Sequence, residues 1–240
     1  MHVYAHRGAS VECPENTLAS FRRALELKPF GIELDLHLSA DGVPMVIHDD
    51  TVDRTTNGSG AVSSLTCKEM QTLDAGGGER IPTLDEVLAL MAGHAHLLLE
   101  IKDAAVIPAM LERVRASPEL RWSAMSFNWV ALRAVKDAEP DADLWLSNMG
   151  DIELLRSARP DFAPRQTLDE AIDAARALQA STLATYNLAI DSSVVARIHE
   201  AGFACWAWTV NEADRMETLV WWGVASLCTD DSRLALTLRG

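Results

Sequence analysis

The chain contains no run that approaches the roughly 20 consecutive apolar residues of a membrane span, which excludes a transmembrane helix. It has four cysteines, Cys13, Cys67, Cys205 and Cys228, and no Cys-x-x-Cys spacing. Zinc-finger and dithiol redox readings therefore lack a basis. Cys205 and Cys228 sit in apolar runs and read as small core residues, and Cys13 beside Pro14 reads as structural before reactive. Positive charge is scarce. Against 35 Asp and Glu stand 21 Lys and Arg, a formal net charge of −14. That balance argues against non-specific binding to nucleic acid or to anionic membrane. Any phosphate chemistry here must bring its own Arg, Lys or metal. The opening Met1-His2-Val3-Tyr4-Ala5 lacks the basic-then-apolar pattern of a secretory signal. Taken as a whole chain, it is expected in the cytoplasm. No internal repeat or low-complexity linker marks a boundary, so one domain over residues 1–240 is expected.

What the chain does have is alternation. Strand-like runs are expected at 3–5, 31–38, 43–48, 97–102, 122–127, 144–147, 182–186, 203–210 and 225–229. Helical stripes fall between them at 17–27, 84–91, 106–114, 130–138, 168–178, 194–201 and 213–222. Thr83 followed by Glu86 is a capping-box pattern, and Gly202 and Gly223 stand where helices should end. Repeated strand–helix units imply parallel strands with crossover helices. About eight such units in 240 residues fit a TIM (β/α)₈ barrel. A doubly wound open sheet is the alternative, but no Gly-x-Gly-x-x-Gly turn follows the first strand. Residues 50–82 break the rhythm with Asn57-Gly58-Ser59-Gly60 and Gly76-Gly77-Gly78, and read as a small insertion over one end of the barrel.

The run Gly31-Ile32-Glu33-Leu34-Asp35-Leu36-His37-Leu38 alternates apolar and ionisable residues with a period of two. On a strand, Glu33, Asp35 and His37 share one face, with alternate Cα atoms about 6.6 Å apart. Adjacent carboxylates at that spacing can converge on one cation. Other ionisable groups fall at strand ends, where barrel enzymes keep their chemistry. His6-Arg7-Gly8 ends the first strand, and His48-Asp49 ends the 43–47 run. Glu100 and Lys102 follow Leu97-Leu98-Leu99, and Trp208-Thr209-Val210-Asn211 ends the seventh strand. Each alone has a plain structural reading: a satisfied histidine, a solvated edge, an ion pair, a core tryptophan. Jointly they would be costly to bury unless a cation and mutual pairing offset them.

His6-Arg7-Gly8, Pro14-Glu15-Asn16-Thr17, Glu33-Leu34-Asp35, Asp41-Gly42-x-Pro44 and His48-Asp49 resemble the glycerophosphodiester phosphodiesterases. The likeness continues in order through Arg54-Thr55-Thr56-Asn57-Gly58, Ile81-Pro82-Thr83-Leu84, Leu99-Glu100-Ile101-Lys102, Ser126-Phe127 and Trp208-Thr209-Val210-Asn211. It implies a TIM barrel with a small insertion after the second barrel strand. It implies a divalent metal, Ca²⁺ or Mg²⁺, held by Glu33, Asp35 and Glu100. His6 and His48 would be the acid/base pair, and Arg7 and Lys102 would bind phosphate. Glu15 would lie near His6 and the metal at the substrate-binding site, as an orienting or auxiliary ligand, and Trp208 would wall the pocket beside glycerol. The implied substrates are small glycerophosphodiesters such as glycerophosphocholine and glycerophosphoethanolamine, cleaved to sn-glycerol 3-phosphate and an alcohol. The nucleophile is left open between water and the glycerol 2-hydroxyl. A lysophospholipase D or phospholipase C-like activity, or a barrel that binds phosphodiesters without turnover, are the alternatives. Neither a stable membrane insertion nor a nucleic-acid partner is expected.

Two positions depart from the resemblance. Thr229-Asp230-Asp231-Ser232 lacks a proline expected two residues after Asp230. His37 stands where an uncharged polar residue would be ordinary, so a supporting or solvent-exposed role is expected for it.

Overall fold

The structure is a computed structural model that describes residues 1–91, 93–151, 154 and 166–238. Its strands are β1 (His2–His6), β2 (Gly31–Leu38), β3 (Pro44–Val46), β4 (His96–Ile101), β5 (Arg121–Ser126), β6 (Leu144–Asn148), β7 (Thr182–Tyr186), β8 (Ala204–Trp208) and β9 (Ser226–Thr229). All but β3 pair in parallel with their neighbours in chain order. β9 returns to β1, from His2↔Ser226 to Ala5↔Thr229, and closes the ring. The alternation in the sequence has produced an eight-stranded parallel TIM barrel, not an open sheet.

Helices α1 (Leu18–Leu27), α2 (Cys67–Met70), α3 (Leu84–Met91), α4 (Ile107–Arg115) and α5 (Trp129–Ala138) occupy the first half. Helices α6 (Leu168–Leu178), α7 (Ser192–Glu200), α8 (Ala213–Trp221) and α9 (Ser232–Thr237) follow. The capping box at Thr83 and Glu86 is formed, each side chain accepting from the other residue's main-chain N–H. Gly202 and Gly223 take φ of +90° and +92° just past α7 and α8.

Strand alternation sorts the core into two layers. One set, including Val3, Ile32, Leu34, Leu97, Leu99, Leu146, Leu183 and Leu227, packs outward against the helices. The opposite set fills the lumen floor with Tyr4, Leu98, Met125, Trp145, Ala184, Trp206 and Cys228. Gly31 faces the same lumen, and a Cβ there would lie 2.3 Å from the Tyr4 ring. The ionisable face of β2 is thereby turned into the barrel, above the aromatic floor.

The insertion begins earlier than expected. The 43–48 run does not carry a barrel strand: β3 folds back antiparallel on the end of β2, pairing Leu36↔Val46 and Leu38↔Pro44. The chain leaves the barrel at residues 39–83, not 50–82. The turn is Asp41-Gly42, with Gly42 at φ +79°, a dipeptide that favours hairpins. Met45, Ile47, Val52, Val62, Met70, Ala75 and Ile81 give this segment its own small core.

Candidate active site

Glu33 and Asp35 rise from β2, and Glu100 from the neighbouring β4, with Asp35↔Glu100 in register. One oxygen from each lies within 4.8 Å of the others, and all three residues are buried. Burial, then Asp35 and Glu100, pushes the Glu33 carboxyl well above the usual carboxylate range, with Arg7 opposing. Burial also raises Glu100, against the pull of Lys102. Asp35 goes the other way: burial disfavours its charge, but Arg7, Lys102 and His48 outweigh it. Glu33 Oε1 and Asp35 Oδ1 are buried with no hydrogen-bond partner. Three hard oxygen donors with orphaned atoms, crowded at mutual electrostatic cost, fit a divalent cation.

The turn after β1 brings in the first cation. Arg7 sits at φ +55° and Gly8 at +83°, and a Cβ at Gly8 would lie 2.4 Å from Ser20 Oγ. In this turn the Arg7 main-chain N–H donates to Glu33 Oε2 at 3.2 Å. Its guanidinium donates to Glu15 Oε1 at 2.9 Å, and its Nε lies 3.3 Å from Asp35 Oδ2. Asn16, also at φ +55°, donates to Asp35 Oδ2 at 2.8 Å. Lys102, just past β4, donates to Glu100 Oε1 at 3.1 Å and lies 3.8 Å from Asp35 Oδ1. Burial opposes its charge, but Glu100 and Asp35 raise it on balance, so Lys102 stays an ammonium.

Each histidine is held by a carboxylate. His6 Nδ1 lies 2.6 Å from Asp230 Oδ1, and His48 Nδ1 lies 2.5 Å from Asp49 Oδ1. Asp230 is itself gripped by Asn211 Nδ2 at 2.6 Å and Ser10 Oγ at 3.2 Å. Burial works against its charge, but the His6 hydrogen bond, then His6 charge and Asn211, bring it down to about 2. An ionised carboxylate only accepts, so both imidazoles carry their proton on Nδ1 and keep Nε2 for the site. His6 Nε2 is 4.0 Å from Glu33 Oε2. His48 Nε2 accepts from Lys102 Nζ at 3.1 Å. Burial lowers the His48 pKa, with Lys102 and Arg7 adding to it and Asp35 opposing.

The cavity between these groups has a volume of about 90 Å³. His6, Arg7, Glu33, His48, Glu100 and Lys102 line one side, and Met125, Phe127, Trp206 and Trp208 line the other. Trp208 packs against Phe127 at 5.2 Å between ring centroids and against Tyr186 at 5.0 Å, so it is a pocket wall. A larger surface groove of about 700 Å³, lined by Asp85, Arg113 and Glu119 among others, contains none of the residues described above.

Every site residue expected from the sequence thus lies in or beside one cavity. Glu15 is the outermost, linking Arg7 to Arg54. His48 arrives by a different route from the one expected. It is carried by the loop after antiparallel β3, not by a barrel strand end. His37 is buried, its Nε2 within 3.1 Å of the His48 carbonyl oxygen, so it supports the main chain that carries His48. The missing proline is also accounted for. Asp231 caps α9 through Leu234 N–H at 2.9 Å, and Ser232 takes the first helical position, where a proline would fit. Sequence reasoning missed Asp230, Asp49 and Arg54 as site residues. Arg54 donates to both Asp49 and Glu15. The His48-Asp49 dipeptide was a signal for one of them; nothing local links Asp230 to His6.

Comparison with known proteins places this barrel among the phosphodiesterases. The sequence model of the Glycerophosphoryl diester phosphodiesterase family matches residues 6–234. A glycerophosphodiester phosphodiesterase of Caldanaerobacter subterraneus is 37% identical, over 98% of this chain and 96% of that protein. A glycerophosphodiester phosphodiesterase of Bacillus subtilis is 30% identical, over 94% of this chain and 82% of that protein. Among solved structures, an Oleispira antarctica phosphodiesterase in complex with the product sn-glycerol-3-phosphate superposes with a TM-score of 0.87. It is 27% identical and covers 100% of this chain and 97% of its own. The chain belongs to the glycerophosphoryl diester phosphodiesterase family and is an enzyme of that activity. Among the described residues, no helix is long and apolar enough to cross a membrane.

Proposed function

We propose that the chain hydrolyses small glycerophosphodiesters, such as glycerophosphocholine and glycerophosphoethanolamine, to sn-glycerol 3-phosphate and the free alcohol. The observation that carries this reading is the carboxylate triad within 4.8 Å, flanked by two imidazoles whose Nδ1 each lies against a carboxylate, with His48 Nε2 meeting Lys102 at the cavity. The Oleispira enzyme's product complex supports the same substrate class here. Glu33, Asp35 and Glu100 would hold Ca²⁺ or Mg²⁺. When bound, that cation supplies charge neutralisation at the phosphoryl oxygens.

Arg7 and Lys102 neutralise the remaining developing charge and orient the phosphoryl group. In the hydrolytic step the oxygen of water bonds to phosphorus and the bond from phosphorus to the alcohol oxygen breaks. One imidazole, neutral with its proton on Nδ1, takes the water proton on Nε2; the other enters the step as an imidazolium protonated on both nitrogens and gives its Nε2 proton to the leaving alkoxide, and solvent resets the two protons between turnovers. Asp230 and Asp49 position the two rings, as carboxylates do in hydrolytic triads. Arg54 steadies Asp49 and Glu15 together. Trp208 gives glycerol an apolar wall. The work is done by one domain in the cytoplasm, with no nucleic acid and no membrane insertion.

The test is phosphorus NMR of purified protein with glycerophosphocholine and, separately, lysophosphatidylcholine, in Ca²⁺ or Mg²⁺. Glycerol 3-phosphate from the first substrate, formed faster than any product of the second, is the expected result. Faster turnover of the lysolipid would replace this reading with a lysophospholipase D. In the same assay His6→Ala and His48→Ala should each lower kcat by about 10²–10⁴-fold.

A further inference from the structure

Arg54 belongs to the segment that leaves the barrel, not to the barrel itself. Its turn is anchored at Val52, a buried member of that segment's core, whose carbonyl accepts from Thr56 N–H at 3.1 Å and from Thr56 Oγ1 at 2.7 Å. A guanidinium carries its N–H donors in a planar fork, and Arg54 fills two edges of it. One edge holds Asp49: Nε donates to Oδ2 at 2.6 Å and Nη2 to Oδ1 at 3.1 Å. The other holds Glu15: Nη1 donates to Oε2 at 3.0 Å and Nη2 to Oε1 at 2.8 Å. Two carboxylates, one from the loop after β1 and one from the loop after β3, thus meet on one cation.

Each carboxylate also touches a residue of the site. Asp49 Oδ1 lies 2.5 Å from His48 Nδ1, and Glu15 Oε1 accepts from Arg7 Nη1 at 2.9 Å. The series His48, Asp49, Arg54, Glu15, Arg7 therefore joins an acid/base ring to a phosphate-binding cation. His6 is held differently, since its Asp230 is gripped by the neutral Asn211 and Ser10. The Arg54 side chain is 48% exposed, and ion pairs at that exposure add little to stability. A doubly filled fork there points to a task in the site. Arg54 also holds two like charges side by side. Its hydrogen bond is the largest influence keeping the Asp49 carboxyl below the usual carboxylate range. At Glu15 burial opposes the charge, and the Arg54 hydrogen bond leads the groups that outweigh it, ahead of Arg7. With Arg54 removed, Glu15 would draw on Arg7 alone of these two cations, and a phosphoryl oxygen would have to compete with it.

We infer that Arg54 is a positioning residue with two separable tasks: through Asp49 it keeps the His48 ring in its working orientation, and by sharing Glu15 it leaves Arg7 free to turn toward the phosphoryl group. This rests on the roles proposed above for His48 and Arg7. The first task acts on the chemical step and reads out in kcat. The second acts on substrate binding and reads out in KM, which follows affinity when chemistry is slow.

The test is a pair of double-mutant cycles on glycerophosphocholine, with kcat, KM and melting temperature measured for each protein. Arg54→Gln should lower kcat by about 10–100-fold and raise KM by about 10-fold, with the melting temperature nearly unchanged. In an Asp49→Asn background its effect on kcat should shrink to within about twofold while its effect on KM persists. In a Glu15→Gln background the reverse should hold. If Asp49→Asn turns over too slowly to follow, the Glu15→Gln cycle decides alone. Equal fractional losses in every background, or Arg54→Gln with wild-type kcat and KM, would overturn the two tasks while leaving the proposed function standing. No turnover of any glycerophosphodiester by wild type would overturn the proposed function first, and the role of Arg54 with it.

Discussion

Asp230 and Asp49 do for the two imidazoles what neither histidine can do alone: they fix which nitrogen carries the proton. Asp230→Asn should keep the fold and lower kcat by about 10²–10⁴-fold with a much smaller change in KM, because an amide permits the wrong tautomer. Steady-state kinetics on glycerophosphocholine check this, and a change confined to KM would contradict it. Glu33, Asp35 and Glu100 were legible in the sequence because the period of a strand puts them on one face and the neighbouring strand end. His6, Arg7 and Lys102 were legible by the same rule and by their motifs; His48 was legible by its motif alone, since the loop after β3 and not a barrel strand end carries it. Asp230 was not, because its bond to His6 spans 224 positions and exists only once β9 closes on β1. Nor was Arg54, whose two carboxylate partners lie 5 and 39 positions away.

At the scale of elements, β2 and β4 carry the carboxylates and the barrel floor holds them at depth. Gly31 lets Tyr4 lie across that floor. Gly31→Ala should cost about 1–3 kcal/mol in urea unfolding, since its new methyl must displace a packed ring. The floor also contains His96, whose Nδ1 lies 3.1 Å from Tyr4 Oη and whose Nε2 lies 3.1 Å from Ser123 Oγ. Burial lowers the His96 pKa to about 4, partly opposed by Asp143. An unfolded histidine titrates near 6.5, so protons bind the unfolded chain more readily between those values. The stabilising contribution of neutral His96 should be complete above about pH 6.5 and be lost as pH falls toward 4, by roughly 2–3 kcal/mol. Urea unfolding of wild type and His96→Gln at pH 7.5, 5.5 and 4.5 checks it. A variant with the same pH slope as wild type would contradict the assignment. Every helix expected from the sequence formed within a few residues of its bounds, because each apolar stripe matched a face of the barrel. The one misplaced strand, β3, was short, and only Asp41-Gly42 marked it as the return arm of a hairpin.

The whole molecule sets a net charge of −14 against the negative charge of a phosphodiester group. It does so by concentrating Arg7 and Lys102 at one mouth and by gathering three carboxylates that fit a cation. A cation that binds only the folded chain must also stabilise it. Saturating Ca²⁺ or Mg²⁺ should therefore raise the melting temperature of wild type and not of Glu33→Gln. The most direct measurement is glycerol 3-phosphate formation from glycerophosphocholine by wild type and Glu33→Gln, in EDTA and then in a titration of Ca²⁺ or Mg²⁺. Wild type should be inactive in EDTA and recover with added cation, whereas Glu33→Gln should need far more cation for any recovery. Full wild-type activity in EDTA, or a Glu33→Gln enzyme with an unchanged cation requirement, would contradict the account.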